Sequence, residues 1–269
     1  MKKYVDIINT FRRGEIPEDE KRISCWAPFQ SMHINREGDI KVCPFVMRQT
    51  YDLVNDRPYE KPPQFQRWRP GKSLREIWQN DEGLEELRLA SMQGGLHDWC
   101  RYCSDACDMN KPPSSLDFDW VGGERDLNHA VPKEVELSLS NVCNYKCKFC
   151  AASHSSQHMK DLPKDQWAKF RSIYDDPEVA EAFVEALRDI IHEVRRINIT
   201  GGEPFAQPIV HRILKMIEAE DPEDLRIQFT TNGSIMNDYV RKFAQRLNTV
   251  FTISLDSIDP ELYPQLRVN

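Results

Sequence analysis

Hydrophobic residues follow two alternating periodicities along the second half of the chain. They recur at every second position in four short segments, which is typical of β-strands, and at every third or fourth position in the segments between them, which is typical of amphipathic helices. The strand segments fall at residues 133–140, 197–199, 227–229 and 250–255, and the helical segments at 176–194, 209–217 and 239–247. About four consecutive βα units predict an α/β fold, with a parallel sheet or barrel wall and helices outside it.

The first half of the chain has a different pattern. Residues 24–51 alternate around a polar turn at 36–39 and predict a short β-hairpin. Ser73 and Glu76 have the spacing of a capping box, so a helical stretch is expected to begin there and to stop at the glycines 94–95. Together these elements predict a small α+β domain.

Prolines and glycines mark a boundary between the two halves. The segment 109–132 holds two consecutive prolines, two consecutive glycines and a final proline, which is typical of a linker. We therefore expect the small domain over residues 1–108, a linker over 109–132 and the α/β domain over 133–269.

Composition and charge exclude several classes of protein. The 269 residues include 36 Lys+Arg and 43 Asp+Glu, and the net charge of −7 argues against binding to nucleic acid or to a membrane surface. No apolar run approaches the ~20 residues that span a bilayer, and no apolar signal core follows the basic residues at the start. We therefore expect a cytoplasmic protein whose cysteines remain reduced.

The eight cysteines fall into two groups. In a chain of this kind, clustered cysteines bind metal or carry out redox chemistry more often than they form disulfides. The first group is Cys25, Cys43, Cys100, Cys103 and Cys107, and the second is Cys143, Cys147 and Cys150. Neither group has the even distribution of a secreted disulfide framework.

The second group forms a C-x3-C-x2-C run on the loop after the first predicted strand. Three thiolates this close together suit three corners of a 4Fe–4S cube and leave the fourth iron open to an exogenous ligand. A structural zinc site is the alternative, and it would take a fourth ligand from His154 or His158.

Polar clusters follow the other three strands as well. They are Gly201-Gly202-Glu203-Pro204, Thr231-Asn232-Gly233, and Ser254 with Asp256. The C-terminal ends of parallel strands meet at one edge, where ligands bind. Two glycines admit close approach of backbone to a ligand, a carboxylate can hold an ammonium group, and hydroxyl and carboxylate groups can bond a ribose. Each cluster alone is also compatible with an ordinary turn or helix cap.

These four motifs, in this order, resemble those of the radical S-adenosylmethionine (radical SAM) superfamily. Its signature is a C-x3-C-x-aromatic-C run, followed by GGE, TNG and S-x-D motifs after the next three strands. The resemblance covers residues 133–269 and implies a partial (β/α) barrel of the radical SAM type. It implies a SAM-cleaving cluster on the catalytic residues Cys143, Cys147 and Cys150, and S-adenosylmethionine bound by Phe149, Gly201, Gly202, Glu203, Thr231, Asn232, Ser254 and Asp256.

The resemblance also implies an oxidoreductase or maturase. In this family a reduced 4Fe–4S cluster passes one electron into S-adenosylmethionine, and the resulting 5′-deoxyadenosyl radical abstracts hydrogen from a substrate. Glu203 would align the methionine end, and Phe149 would help to seat the adenine. The expected partners are a small electron-donor protein and a peptide or small-molecule substrate.

The first cysteine group resembles the twitch domain, a shorter relative of the SPASM domain. Cys25 and Cys43 flank the predicted hairpin, and Cys100 and Cys103 form a C-x2-C pair after the helical stretch. The resemblance implies that these four thiolates hold an auxiliary 4Fe–4S cluster, while a zinc ribbon has the same ligand set. Cys107 is a fifth candidate without an assigned role.

Two features depart from the usual family pattern. The twitch domain usually follows the barrel, whereas here it comes first. The family core has about six βα units, and the sequence to Asn269 supplies about four. We therefore expect either that the chain is a fragment or that another chain completes the barrel.

A second class of function remains open at this point. If every cysteine were structural, the chain would be a zinc-stabilised binding module and would catalyse nothing. Metal content separates the two hypotheses, because the enzyme requires iron and acid-labile sulfide and the binding module requires zinc.

Overall fold

The fold is given by a computed structural model, which describes residues 25–43, 46, 51–52, 57–58, 65–93, 97–100, 130–246 and 248–268. Within this part of the chain there are two compact units. The first takes in the described residues of 25–33, 40–66 and 75–133, and the second takes in those of 34–39, 67–74 and 134–268. Most of the linker predicted at 109–132 lies outside the described residues, as do Cys103 and Cys107.

The elements of the first hundred residues are short. They are helix α1 (Ala27–Gln30), strands β1 (Ser31–Asn35), β2 (Ile40–Lys41), β3 (Tyr51–Asp52) and β4 (Arg57–Pro58), helices α2 (Leu74–Asn80) and α3 (Glu82–Met92), and a 3-10 turn at Asp98–Cys100. β1 and β2 lie on either side of the polar turn, as the alternation predicts, and Gly38 closes that turn with a φ of +72°. β3 and β4 pair antiparallel.

The helical stretch predicted from residue 73 onward is divided into two helices. Asp81 lies between them, and its buried carboxylate accepts a hydrogen bond from the backbone nitrogen of Leu84 at 2.8 Å. This bond caps α3 and gives the second helix its own beginning. The Arg88 guanidinium of α3 lies 4.5 Å from the ring centroid of Trp78 in α2, so the two helices pack against each other.

The second unit alternates strands and helices. Its elements are β5 (Glu134–Ser138), α4 (Ser156–Met159), 3-10 turns at Lys164–Phe170 and Ile173–Asp175, α5 (Pro177–Arg188), β6 (Arg196–Ile199), a 3-10 turn at Pro204–Ala206, α6 (Pro208–Glu220), β7 (Arg226–Thr231), α7 (Asp238–Ala244), β8 (Thr249–Ile253) and α8 (Tyr263–Leu266). In the described part of the chain no helix has the length and apolar character needed to cross a membrane.

Four parallel strands form the wall of this unit. β5 pairs with β6, β6 with β7, and β7 with β8, so the spatial order is the chain order. Helices α5, α6 and α7 connect each strand to the next. The α/β fold with consecutive βα units is therefore confirmed. Because all four strands run in the same direction, the loops that follow them lie along one edge.

One face of the wall is apolar and buried. It carries Val135, Leu137, Ile197, Ile199, Ile227 and Phe229. Asp176 caps α5, as predicted, by accepting a hydrogen bond from the backbone nitrogen of Glu178 at 2.9 Å. The helix was predicted to extend to residue 194 but ends at Arg188. Ile190 and Val194 are buried all the same, in the turns that follow the helix.

The opposite face of the wall carries polar side chains. Glu134 and Arg196 form an ion pair at 2.6 Å, and the Asn198 amide donates to Glu136 at 3.0 Å. The strand register places Gln228 beside Asn198 on the same face. A parallel sheet covered on both faces by helices is normally apolar on both, so this polar face is typical of a wall that lines a binding site.

The turn between β1 and β2 belongs to the second unit. The backbone nitrogen of Trp68 donates to the carbonyl oxygen of Gly38 at 2.7 Å, and that of Ile173 donates to Arg36 at 3.0 Å. The Trp68 ring is fully buried and lies 4.9 Å from the ring of Phe183, centroid to centroid. The second unit therefore draws part of its core from residues far earlier in the chain.

Candidate functional site

The four polar loops predicted at the strand ends are joined by backbone hydrogen bonds. The nitrogen of Glu203 donates to the carbonyl oxygen of Val142 at 2.8 Å, which ties the loop after β6 to the loop after β5. The nitrogen of Ser254 donates to Thr231 at 2.9 Å, which ties the loop after β8 to the end of β7. These backbone bonds join the four sequence motifs in two neighbouring pairs.

Two glycines seat the cysteine loop on this edge. A Cβ atom on Gly202 would lie 2.2 Å from the carbonyl oxygen of Val142, which no side chain tolerates. Gly201 has a φ of +103°, and a Cβ there would lie 2.7 Å from the carbonyl oxygen of Ser140. The glycine pair is therefore required by the close approach of the backbone that leads into Cys143.

The Glu203 side chain links the loops after β6 and β7. It is fully buried, and its carboxylate accepts hydrogen bonds from the Thr231 hydroxyl at 2.7 Å and from the backbone nitrogen of Asn232 at 2.8 Å. Within the described residues, no cation forms an ion pair with this carboxylate. Its role toward a methionine ammonium remains a prediction, and its observed contacts hold the edge together.

The cysteine loop is held by side chains on either side of it. Asn141 is buried and its amide donates to the carbonyl oxygen of Ala152 at 2.7 Å, which closes the loop at its base. The Gln157 amide of α4 donates to the carbonyl oxygen of Cys143 at 3.1 Å. The backbone nitrogen of Tyr145 points to the Cys143 sulfur at 3.4 Å. The loop is thus shaped by the protein around its thiols.

The three thiols of this loop are free and electrostatically coupled. Burial raises the pKa of Cys143 and Cys147, and the charge of Cys150 raises the pKa of both further. The Arg267 guanidinium lowers the pKa of Cys147 in part. Because a bound metal deprotonates its thiol ligands, this donor set suits a metal centre.

The arrangement of possible ligands differs from that of a single-ion site. Among the residues that the structure describes, no three His, Cys, Asp or Glu side chains are grouped to hold one metal ion. A cubane requires a different spacing, because each thiolate binds its own iron. The Nε2 atom of His158 lies 2.9 Å from the carbonyl oxygen of Cys147, so Nε2 donates its proton there and only Nδ1 keeps a lone pair.

Arg267 is a site residue that the sequence did not suggest. Its side chain is 9% exposed and forms an ion pair with Asp256. Its guanidinium lies 5.5 Å from the ring centroid of Phe149, and its Nη1 atom lies 4.0 Å from the sulfur of Cys147. Phe149 itself is 60% exposed, which leaves a ring face open to a ligand. No local pattern around residue 267 marks it, because its partners lie up to 120 residues away.

Asn144 is a second residue that sequence reasoning missed. The Asn232 amide donates to the side-chain oxygen of Asn144 at 3.0 Å and lies 4.0 Å from the Cys143 sulfur. The Ser234 hydroxyl donates to the side-chain oxygen of Asn232 at 2.6 Å. Asn144 lies inside the C-x3-C run, where the cysteines alone attract attention. These contacts connect the third motif to the first.

The cysteines of the first unit are described in part. Cys25 and Cys43 are buried, and Cys100 is partly exposed. The Ser91 hydroxyl of α3 donates to the carbonyl oxygen of Cys25 at 2.8 Å, which fixes the backbone at that cysteine. The grouping of four thiolates remains a prediction, since Cys103 lies outside the described residues.

The parallel wall, the three coupled thiols and the glycine-backed loop define an α/β iron–sulfur protein. Residues 137–269 match the Radical SAM superfamily, and residues 25–104 match SPASM, an iron-sulfur cluster-binding domain. The chain thus carries a radical SAM domain, with a SPASM domain ahead of it. The predicted order of the two domains is confirmed. So are the predicted cofactors, namely a 4Fe–4S cluster with S-adenosylmethionine and an auxiliary iron–sulfur cluster.

Curated relatives match only part of their length. GTP 3′,8-cyclase of Acidothermus cellulolyticus is 28% identical over 135 residues, which is 50% of this chain and 34% of that protein. The S-adenosylmethionine-dependent nucleotide dehydratase of a Fibrobacter species is 29% identical over 130 residues, which is 46% of this chain and 34% of that protein. The chain thus spans about a third of these relatives' length.

A solved structure also has some likeness to this chain. The crystal structure of Streptococcus suis SuiB bound to the precursor peptide SuiA is 16% identical, and the match covers 88% of this chain and 49% of that one. The TM-score is 0.36, which is too low to establish a common fold in detail.

Proposed function

We propose that this chain abstracts a hydrogen atom from a substrate by radical SAM chemistry. The observation that carries the proposal is the loop of three free thiols at Cys143, Cys147 and Cys150, seated on the glycine pair at the strand edge. When bound there, a reduced 4Fe–4S cluster with S-adenosylmethionine supplies a 5′-deoxyadenosyl radical.

Each motif has its own part in this proposal. The three thiolates hold the cluster, and the cysteine loop is shaped before it binds because Asn141 and Gln157 fix it. Glu203 follows the partly exposed Gly201 and Gly202, and its carboxyl group would hold the methionine ammonium of the cofactor.

The remaining motif residues suit the nucleoside half of the cofactor. The open ring of Phe149 offers a face for the adenine. Ser254 and Asn232 lie at the same edge and carry groups that can bond ribose hydroxyls. Asp256 already pairs with Arg267, so its contact with the ribose would use the carboxylate's remaining acceptor capacity.

The polar face of the wall supports a polar substrate. Glu136, Asn198 and Gln228 stand in register across three strands and offer both donors and acceptors. The two curated relatives are named for reactions of nucleotides, GTP in one of them. We propose a small polar molecule as the substrate, ahead of a peptide, with electrons delivered by a small electron-donor protein.

The auxiliary cluster suits net oxidation. After hydrogen abstraction the substrate carries an unpaired electron, and a second iron–sulfur cluster can accept it. Cys25, Cys43, Cys100 and Cys103 are the proposed ligands. Cys107 would take the place of Cys103 if the spacing of the pair requires it.

The test is cofactor cleavage by anaerobically reconstituted protein. With dithionite and S-adenosylmethionine, the full chain should release 5′-deoxyadenosine, and Cys147→Ala should release none because the cluster loses one of three ligands. Cys43→Ala is the matched control, since it removes a thiol of the other unit and should keep cleavage. Stoichiometric zinc with little iron, or full activity of Cys147→Ala, would contradict the proposal and favour the zinc-stabilised binding module.

A further inference from the structure

Arg267 and Cys147 are held opposite each other by the backbone. The nitrogen of Lys146 donates to the carbonyl oxygen of Val268 at 2.6 Å, and the nitrogen of Lys148 donates to that of Leu266 at 2.9 Å. The two bonds bracket Cys147 on one segment and Arg267 on the other. The approach of the guanidinium to the sulfur therefore does not depend on the choice of a side-chain rotamer alone.

The Arg267 side chain is oriented by its partners. It is 9% exposed, and its Nε atom bonds the carboxylate of Asp256. The N–H donors of a guanidinium lie in one plane and point in different directions. A bond from Nε to Asp256 therefore leaves the donors of Nη1 available to another group. Here Nη1 lies 4.0 Å from the sulfur of Cys147. The Phe149 ring, 5.5 Å from the guanidinium carbon, adds a cation–π contact on another side.

A fixed positive charge at this place acts on any cluster bound to Cys147. Reduction adds one negative charge to the cluster, and a nearby guanidinium in a partly dehydrated site stabilises that charge. Charge and hydrogen bonds to the cysteine sulfurs are among the terms that set the potential of an iron–sulfur cluster. The carboxylate of Asp256, which pairs with this guanidinium, acts in the opposite direction.

We propose that Arg267 is a positioning residue that holds Cys147 and raises the reduction potential of the cluster on Cys143, Cys147 and Cys150, with Asp256 orienting and moderating it. This inference rests on the proposed function, because it requires that the cluster bind there. It assigns Asp256 a role toward the cluster in addition to the predicted contact with ribose.

The experiment is a redox titration of the reconstituted full chain with dithionite as reductant, followed by electron paramagnetic resonance. The signal that changes when S-adenosylmethionine is added identifies the relevant cluster, and the titration itself is done without S-adenosylmethionine. In Arg267→Gln the ratio of reduced to oxidised cluster at a fixed potential should fall about tenfold, a shift of about 59 mV to more negative potential for one electron.

The partner variants make the result specific. Asp256→Asn should shift the midpoint in the opposite direction, because it removes a negative charge beside the same cluster. Arg267→Lys keeps the positive charge and should restore most of the wild-type value. Arg212→Gln, which removes an exposed arginine paired with Glu181 on neighbouring helices, should shift nothing.

Iron content separates the possible failures. If the wild-type chain binds no cluster that responds to S-adenosylmethionine, the proposed function is wrong. If that cluster binds and the midpoints of Arg267→Gln and wild type coincide, or if Arg267→Gln and Asp256→Asn shift in the same direction, the inference alone is overturned. Should Arg267→Gln fail to bind iron, the other variants still decide: Asp256→Asn should shift the midpoint to more positive potential while Arg212→Gln leaves it unchanged, and equal midpoints in these two variants would overturn the inference.

Discussion

At the scale of single residues, the motifs act first on one another. Gly202 accommodates the carbonyl oxygen of Val142, and Glu203 accepts hydrogen bonds from Thr231 and Asn232. The second motif is usually explained by the ligand that it binds, but its residues also stabilise the neighbouring loops. The loop that carries the cysteines depends on neighbours that come 60 to 90 residues later in the chain.

Gly202→Ala tests this dependence. The added methyl group would meet the Val142 carbonyl oxygen at 2.2 Å, so the cysteine loop must move, at a cost of about 1–3 kcal/mol in the free energy of unfolding. We expect a lower melting temperature and less iron per chain after anaerobic reconstitution. Gly71→Ala is the control, because Gly71 has a φ of +86° but open space around it. It should lower stability and leave iron content unchanged, and equal iron loss in both variants would contradict the explanation.

The sequence predicts the residues of the site better than it predicts their contacts. The cysteines, the glycine pair and the later motifs are local patterns, and the parallel wall brings them to one edge as expected. Arg267 and Asn144 were not predicted, because each makes its contacts with residues that are distant in the sequence and close only in the folded chain. The full burial of Glu203 also depends on packing that no spacing reveals.

At the scale of elements, strands β5 and β6 are joined by an ion pair in an unusual electrostatic state. Burial raises the pKa of Glu134 to about 7, although the Arg196 guanidinium lowers it in part. Burial likewise lowers the pKa of Arg196 to about 10, against the effect of Glu134. The pair thus bears a cost of dehydration that its mutual attraction does not fully offset.

This state predicts a pH dependence of stability. Glu134 in the unfolded chain loses its proton near its ordinary pKa of 4.5, whereas the folded chain keeps it to about 7. The stabilisation present below pH 4.5 should therefore be lost as the pH rises to 7, by up to about 3 kcal/mol. Denaturant unfolding of wild type and Glu134→Gln between pH 4.5 and 8 measures it. The difference between the two curves should change across this range, and parallel curves would contradict the prediction.

The hydrophobic periodicity predicted the positions of the strands and helices, because an element that is buried on one face must carry apolar residues at regular intervals. The four strands and the three helices between them are found in the predicted segments, although the fourth strand ends at Ile253 and leaves Leu255 outside it. The boundaries differ where tertiary packing decides: Asp81 divides the first helical stretch, and Ile190 and Val194 are buried without being helical. Leu247, predicted as part of the third helix, lies outside the described residues.

At the scale of the whole molecule, two iron–sulfur domains share one chain. The SPASM match at residues 25–104 contains four cysteines of the first group, and the radical SAM match at 137–269 contains all three of the second. Cys107 lies between the two matches. If each group holds one cubane, the iron and sulfide content should be about eight of each per chain.

Removing one thiol from each group tests this division. Cys43→Ala should lose about half of the iron, one cubane of two, and Cys147→Ala should lose the other half. Only Cys147→Ala should abolish the electron paramagnetic resonance change caused by S-adenosylmethionine. Iron content that is unchanged in Cys43→Ala would remove the assignment of Cys43 as a ligand of the auxiliary cluster.

The burial of Trp68 against Phe183 and Tyr174 has a practical consequence for anyone who wishes to shorten this protein. A polypeptide beginning at residue 133 would contain all four of the radical SAM motifs described above but would lack this indole and the turn at Gly38. Two aromatic rings would then face water, which favours aggregation during expression. The boundaries of homology and the boundaries of autonomous folding do not coincide here.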